Sequence, residues 1–570
     1  MPSTGPAAGR RSDVPDSIAE MLLARLGDEH TGLRTRHRDW TWDEVVAESA
    51  ARGALAVALR DAQFPDAPFH IGVLLDNVAD FAFWLGGAAL AGAVIVGINP
   101  TRGSADLAAE IRHADCQLIV TDTAGTARLA GLDLGLAADR FLVIDESRYP
   151  ALIEAHRGEP VAAPGVGPES LLLLLFTSGT TGASKAVKCS QGRLCRIAES
   201  AAAKYGHSRQ DVEYCCMPMF HGNALMALWA PALSVGATIC LTPTFSASAF
   251  LPDVRFFGAT FFTYVGKALA YLMATPETAQ DADNTLTRGF GTEASPEDQA
   301  EFRRRFGAEL YEGYGSSEGG NAATPDPQAP AGALGRPAHA GIAVIDPETL
   351  KICAPAQLDS YGRVRNADEA VGEIVDKFGA RNFEGYYRND SADAQRLRNG
   401  WYWTGDLGYV DAAGFLYFAG RRGDWIRVDG ENISALTTER VLRRHPAVIA
   451  AAVFAVPDPR SGDQVMAALE VADPGGFDIA ELADYLDNAE DLGRKGVPRL
   501  LRLSSRLPVT GSNKILKRDL QSQRWHTDPE SGDVVHRWVG RGRPEYHPMN
   551  QADRNALDAE FRRYGRGHYL

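Results

Sequence analysis

Leu171-Leu-Leu-Leu-Leu-Phe176 runs directly into Thr177-Ser-Gly-Thr-Thr-Gly-Ala-Ser-Lys185, and the reading of this stretch decides the fold. This apolar run reads as a strand. The strand delivers the chain into a loop of glycines and hydroxyls closed by one cation. Glycines let backbone N–H groups converge, hydroxyls add donors, and Lys185 adds charge; proteins hold polyphosphate this way. The bland alternative is a flexible Ser/Thr/Gly surface loop, which does not account for the apolar lead-in or the closing lysine. A Walker A loop is excluded, because Ser184 stands where that motif needs glycine.

Outward from this strand, helical patterns alternate with short β-rich runs. Ile71–Leu75, Cys116–Thr121, Ala237–Thr242 and Thr260–Tyr264 read as strands, and Asp106–His113 as a helix. Such alternation predicts parallel α/β layers. Phe81 to Ile98 carries no charge and approaches the ~18 residues of a membrane span. Its glycines and its end at Asn99-Pro100 fit a buried helix running into a strand better. The uncharged run Gly222–Pro252, broken by Pro231 and Pro243, reads as interior helix, strand and loop. Near residue 400, glycines begin to punctuate short β-rich pieces. A smaller αβ unit follows, with a helix after Ser434, a strand over Val448–Val456 and a helix over Ile479–Asn488. A joint is expected near Arg421–Asp424. The division is then 1–17 as a flexible N-terminus, 18–422 as a large domain, 423–525 as a small domain and 526–570 as a C-terminal extension.

The 570 residues carry 58 Lys+Arg against 73 Asp+Glu, a net charge of −15. So acidic a body excludes general binding of nucleic acid or anionic lipid, and any anionic substrate must be met by a few placed cations. Seven cysteines with no CxxC pair argue against a disulfide framework or a zinc site and fit a reducing cytosol. Arg10-Arg11 is followed by Ser12-Asp13-Val14-Pro15-Asp16, which argues against a secretory or twin-arginine leader.

Three further segments carry chemistry. Tyr311-Glu-Gly-Tyr-Gly-Ser-Ser-Glu-Gly-Gly320 formally contains the GxSxG of a hydrolase elbow, but Pro325, Pro327 and Pro330 follow where that elbow needs a helix. Its glycines also miss the GxGxxG spacing of a dinucleotide site. In the remaining reading a tyrosine face stacks on a base and Glu318 offers hard oxygen to a divalent metal. Trp401-Tyr-Trp-Thr-Gly-Asp-Leu-Gly408 places Asp406 in a tight turn, able to chelate two vicinal ribose hydroxyls or simply to form the turn. Pro508-Val-Thr-Gly-Ser-Asn-Lys-Ile515 presents Lys514 on a turn-rich loop; alone, such a lysine would be a solvated charge.

In this order and spacing, the four segments resemble the adenylate-forming superfamily of acyl-CoA synthetases, adenylation domains and luciferases over roughly residues 20–525. Glu318-Gly-Gly-Asn321, Tyr264-Val-Gly-Lys267 and Gly423-Asp-Trp-Ile-Arg-Val-Asp-Gly-Glu-Asn432 are similar to its fatty-acid-transport-protein branch, most of all to actinobacterial fatty-acyl-CoA synthetases. The resemblance implies an α/β fold: a large N-terminal domain with mainly parallel sheets and a small, mobile C-terminal domain of α+β character. It implies ATP, Mg2+ and coenzyme A as partners of a carboxylic acid, fatty or sterol side-chain.

The resemblance assigns Thr177, Ser178, Gly179, Thr180, Thr181, Gly182 and Lys185 to the phosphates. Tyr314 and the backbone of Gly291, Thr292 and Glu293 would sandwich the adenine, with Gly315, Ser316 and Ser317 also binding ATP or AMP. Asp406 and Arg421 would take the ribose, Thr177 and Glu318 the metal, and Lys514 the reacting carboxylate. Met217-Pro-Met-Phe-His221 is similar to the segment gating the acyl pocket, with Gly222, Tyr264 and Gly266 as candidate walls or ordinary core. Gly423 and Asp424 would form the hinge, and Gly430 and Glu431 would approach the thiol path. Ser184 for proline, Gly423 at the hinge and Asn513 for glycine depart from the pattern. The implied reaction is acid–CoA ligation through an acyl-adenylate. A ligase loading a carrier protein and a non-enzymatic lipid-uptake protein are the alternatives. A cytoplasmic location with at most peripheral contact at the inner face of the membrane is expected, and a homodimer stays open.

Overall fold

The computed structural model describes residues 15–63, 68–160, 165–177, 184–319, 322–326, 328–330, 332–360, 362–421, 425–428, 431–460, 462–511, 513–540 and 542–570. Two parallel sheets carry the large domain. The first runs Phe141–Val143, Leu118–Thr121, His70–Leu74, Val94–Gly97 and Leu171–Thr177, all parallel, and closes with the antiparallel Lys185–Ser190. The second runs Glu309–Glu312, Arg288–Thr292, Phe261–Val265, Val212–Cys215, Thr238–Leu241 and Thr31–Arg34, again parallel, and ends on the antiparallel Asp39–Thr41. The run Leu172–Leu174 is inaccessible to solvent, which is why that strand is apolar at successive positions from Leu171 to Phe176 rather than at alternate ones.

The uncharged run resolves into the helix Ala79–Ala91, stopped by Gly92 at φ +66°, and the strand Val94–Gly97. Residues 81–91 are all buried, because this helix packs inside one core that also contains residues of both parallel sheets. That environment demands apolar side chains all round without a membrane. No helix of the described residues is long and apolar enough to cross one.

A third sheet is antiparallel: Ala323–Thr324, Ala333–Pro337, Leu416–Arg421, Trp401–Val410, Gly372–Asp376, Ile342–Ile345. The change of texture placed near residue 400 therefore begins at Ala323. The intervening prolines and the shortness of the first strands hide it in the sequence.

In the small domain the sheet order is Ala450–Pro457, Asp463–Glu470, Leu500–Ser504, Val534–Trp538, Tyr546–Pro548. Alternate residues of its first strand face opposite cores. Ala451 and Val453 join Val441, Leu442, Leu482 and Leu486 on one side, while Ala452, Phe454 and Val456 join Leu520, Trp525, Leu557 and Phe561 on the other. Residues 526–570 thus supply two strands to this sheet and a helix, Gln551–Arg563, to its second face.

Candidate active site

Most of the chemical segments leave the carboxyl ends of parallel strands, the position where open α/β sheets bind ligands. Thr177 ends its strand and pairs in register with Lys185, so the loop between them closes a β-hairpin. Ser178, Gly179, Thr180, Thr181 and Gly182 lie outside the described residues. Lys185 is buried, with Nζ 5.2 Å from the Tyr386 ring centroid. Desolvation, then the neighbouring Arg396, lower its pKa, and Glu318 opposes them. Ser184 accepts a 2.9 Å hydrogen bond from Arg102 Nη2, and Arg102 pairs with the buried Glu110 at 3.0 Å. A side-chain tether therefore stands at this end of the loop.

The strand Glu309–Glu312 releases the chain into Gly313-Tyr314-Gly315-Ser316-Ser317-Glu318. Tyr314 donates its hydroxyl to Asp406 Oδ2 at 2.8 Å. Ser316 donates to the Gly319 carbonyl, and the Ser317 carbonyl accepts from Arg193 at 2.6 Å; Gly315 is exposed. Glu318 is 6% exposed; its Oε1 accepts from the Tyr386 hydroxyl at 3.0 Å and lies 3.8 Å from Arg396. The next described element is the strand Ala323–Thr324, and the helix a hydrolase elbow needs does not form.

Asp406 requires a correction. It lies inside the strand Trp401–Val410, opposite Arg421 of the neighbouring strand, and not in a tight turn. Gly405 at φ +76° and the Thr404 hydroxyl, which accepts from Asp406 N–H, make a turn-like kink within the strand. The sequence shows the kink but not the pairing. Arg421 Nε stands 3.3 Å from Asp406 Oδ1. Burial raises the Asp406 pKa against the pull of Arg421 and Tyr314.

On the other side, the strand Arg288–Thr292 presents Gly291 to the face of Tyr264 and ends at Glu293, held at φ +72°. Tyr264 is 2% exposed and donates its hydroxyl to Glu312 at 2.7 Å. Burial pushes Glu312 up to about 7. Gly266 abuts the Glu293 backbone so closely that a methyl group there would stand 2.0 Å from its carbonyl oxygen. Gly222 packs beside Ser317, Met226 and Leu175. His221 accepts from Asn223 N–H at 3.2 Å; desolvation, then Lys514, push its pKa down to about 4, so the ring is neutral at pH 7.

Lys514 arrives from the small domain. Its loop is pinched by a bridge between Val509 and Ile515, and Asn513 sits at φ +59°, the left-handed region that asparagine tolerates best after glycine. Gly511 lies against Asn99 and Phe220 of the large domain with no room for a side chain. Lys514 Nζ then reaches Glu293 Oε1 at 2.9 Å. Gly423, Asp424 and Gly430 lie outside the described residues, and Glu431 belongs to the strand Glu431–Ser434. Tyr386, Arg396, Arg193 and Glu312 carry no motif of their own and escape a sequence reading.

As a donor set, Glu318 supplies one buried carboxylate flanked by Lys185 and Arg396. A single hard oxygen donor fits Mg2+ that keeps its water and phosphate ligands, and does not fit an all-protein metal cage. Among the described residues no group of three or more His, Cys, Asp or Glu could hold a metal.

Residues 24–387 match the AMP-binding enzyme family, and residues 437–514 match the AMP-binding enzyme C-terminal domain. The chain is 68% identical to the steroid-22-oyl-CoA synthetase of Rhodococcus jostii (strain RHA1), over 97% of this chain and 99% of that one. It is 42% identical to the medium/long-chain-fatty-acid–CoA ligase FadD17 of Mycobacterium marinum, over 87% and 94%. Among solved structures, the anthranilate CoA ligase AuaEII in complex with anthranoyl-AMP superposes with a TM-score of 0.74 at 21% identity, covering 89% of this chain and 96% of that one. ATP-bound MatB from Rhodopseudomonas palustris gives 0.74 at 21% identity, over 90% and 99%.

Proposed function

The chain belongs to the AMP-binding enzyme family, and we propose that this carboxylic acid–CoA ligase takes a bulky lipophilic acid, a steroid carboxylated on its side chain before a fatty acid. The steroid class is supported by the relative named for it, which shares 68% of its residues over 97% of this chain. The observation that carries the reading is the convergence of Lys514, from the small domain, on Glu293 and His221 of the large domain, in the cleft that also holds the Tyr314–Asp406–Arg421 cluster.

The carboxylate attacks the α-phosphate of ATP in line; the bond to pyrophosphate breaks and acyl-AMP forms. The thiol of coenzyme A then attacks the acyl carbonyl, and AMP leaves. Such transfers need positioning and charge compensation more than covalent help. Lys514 Nζ meets the carboxylate and α-phosphate as negative charge concentrates between them. Neutral His221 stands beside it without adding a second cation that would compete for the acid. Asp406 exchanges its contacts with Tyr314 and Arg421 for the ribose hydroxyls, while the Tyr314 ring and the Gly291–Glu293 backbone enclose the adenine. Lys185 and Arg396 offset β- and γ-phosphate charge. Glu318 and Thr177 would hold Mg2+, which when bound neutralises phosphate charge. For the second step the small domain turns about Gly423–Asp424, withdrawing Lys514 and bringing Gly430 and Glu431 to the thiol.

A panel of steroid side-chain acids and fatty acids, supplied with ATP, Mg2+ and coenzyme A, tests this by AMP release and acyl-CoA formation. Steroid acids should give the highest kcat/KM. Preference for fatty acids by tenfold would reject the steroid class, and no AMP release with any acid would reject the reaction.

A further inference from the structure

The catalytic loop of the small domain is anchored to the large domain by a buried cluster apart from the reacting groups. The helix Gly266–Met273 turns Lys267 and Tyr271 toward Glu470, the last residue of the strand Asp463–Glu470. Lys267 Nζ lies 2.8 Å from Glu470 Oε2, with the two side chains 5% and 3% exposed. The same Nζ donates to the Leu507 carbonyl at 3.3 Å, and Leu507 N–H donates to Glu470 at 2.9 Å. Tyr271 also hydrogen-bonds Glu470, and its ring centroid lies 5.1 Å from Lys267 Nζ. Leu507 leads through Pro508 into the Val509–Ile515 loop that carries Lys514. The ion pair therefore fixes the stem of the loop whose tip enters the active site.

A buried ion pair adds little net stability, because desolvation offsets attraction; breaking one partner leaves an uncompensated charge in the interior. What such a pair selects is the arrangement in which both charges meet. Here the partners lie on different domains, so that arrangement exists only with the small domain docked as it stands. We propose that Lys267, Tyr271 and Glu470 form an interdomain latch that holds the small domain in the adenylate-forming position and must open, exposing both charges to water, before thioester formation. This rests on the reading of two small-domain positions given above. The three residues are positioning residues, since they act through the loop that carries Lys514.

The test measures the half-reactions separately in the full-length enzyme: pyrophosphate exchange for adenylation, and acyl-CoA formation from supplied acyl-AMP. Lys267→Met strands Glu470 in the docked position and should lower exchange by about 10- to 100-fold, through a shift of the docked population. Acyl-CoA formation should change by less than about threefold. The double variant Lys267→Met/Glu470→Met leaves no lone buried charge and should recover most of the exchange, which a chemical role for Lys267 would not allow. Equal losses in both half-reactions, no loss in either, or failure of the double variant to recover exchange would overturn the latch. Lys514→Ala is run in parallel. If it slows exchange alone while Lys267→Met does not, only the latch falls; if it slows both half-reactions equally, the two-position reading falls and takes the latch with it.

Discussion

Gly266→Ala places one methyl group where the large domain's cleft has no space for it. A Cβ at Gly266 would lie 2.0 Å from the Glu293 carbonyl oxygen, 2.5 Å from its carbonyl carbon and 3.1 Å from Ala294 N. Carbon and carbonyl oxygen rest at about 3.3 Å, so the two backbones must part by about 1.3 Å. These neighbours are backbone atoms and cannot swing away. Glu293 already sits at φ +72° and has little torsional freedom to absorb the push. Overpacking of this kind costs about 1–3 kcal/mol of stability. The larger effect is positional: Glu293 carries the carboxylate that receives Lys514 at 2.9 Å and the backbone proposed to rest against the adenine. A misplacement of about 1 Å costs on the order of 100-fold in rate. Pyrophosphate exchange should therefore fall about 100-fold while the protein stays folded by circular dichroism. Gly542→Ala, whose added Cβ meets nothing within 4 Å, is the control and should leave exchange unchanged. Exchange within about threefold of wild type in Gly266→Ala would refute the claim that this close backbone approach sets the geometry of the cleft.

Asp406→Asn loses the charge proposed to bind the ribose hydroxyls and should raise the KM for ATP by about 10- to 100-fold with a smaller effect on kcat, read from initial rates over an ATP titration. Ser184→Ala removes the bond from Arg102 to the end of the phosphate loop and should raise the same KM by about threefold, since the Arg102–Glu110 pair remains. Glu312→Gln changes stability with pH in a defined sense. Folding raises the Glu312 pKa from 4.5 to about 7, so the native state holds its proton more tightly and wild type loses stability as pH rises across that window. The variant escapes this loss. Its free energy of unfolding, from urea denaturation, should gain on that of wild type between pH 4.5 and 7, by up to about 3 kcal/mol, and the gap should be flat above; parallel pH dependences across that range would sink the assignment.

The elements that local pattern controls were readable. Leu171–Thr177 forms its strand because it is apolar from Leu171 to Phe176, and Phe81–Ile98 divides into helix and strand at Gly92, where the chain turns left-handed. Lys514, Asp406 and Glu318 could be picked out because short motifs present them. The partners of those residues could not. Tyr386 and Arg396 meet Glu318 from a distant segment, joined to it only by packing, and nothing in Gly385-Tyr-Tyr387 or Gln395-Arg-Leu397 marks them. Glu470 ends an apolar strand and reads as a boundary residue until the fold brings Lys267 to it. Asp406 was misplaced for a related reason: Thr-Gly-Asp encodes a local kink, whereas the register that sets Arg421 opposite is decided by a neighbouring strand.

These hidden partners explain how a chain of net charge −15 can receive a triphosphate. The cations that would meet ATP each lie close to a carboxylate. Lys514 faces Glu293, Arg421 faces Asp406, and Arg396 with Lys185 borders Glu318. Such pairing holds long side chains in place, lowers the entropy to be lost on binding, and keeps like charges in one cleft from repelling one another. The substrate then binds by exchange of partners. On the proposed reading, phosphate, ribose or the reacting acid takes each cation, and the carboxylate left behind turns to a role of its own, Asp406 to the ribose and Glu318 to Mg2+. Exchange also accounts for the buried pair between the domains. Lys267 and Glu470 are both buried, so their separation exposes both charges to water. On these proposals the contacts that substrate replaces belong to binding, and the pair between the domains belongs to the movement of the small domain.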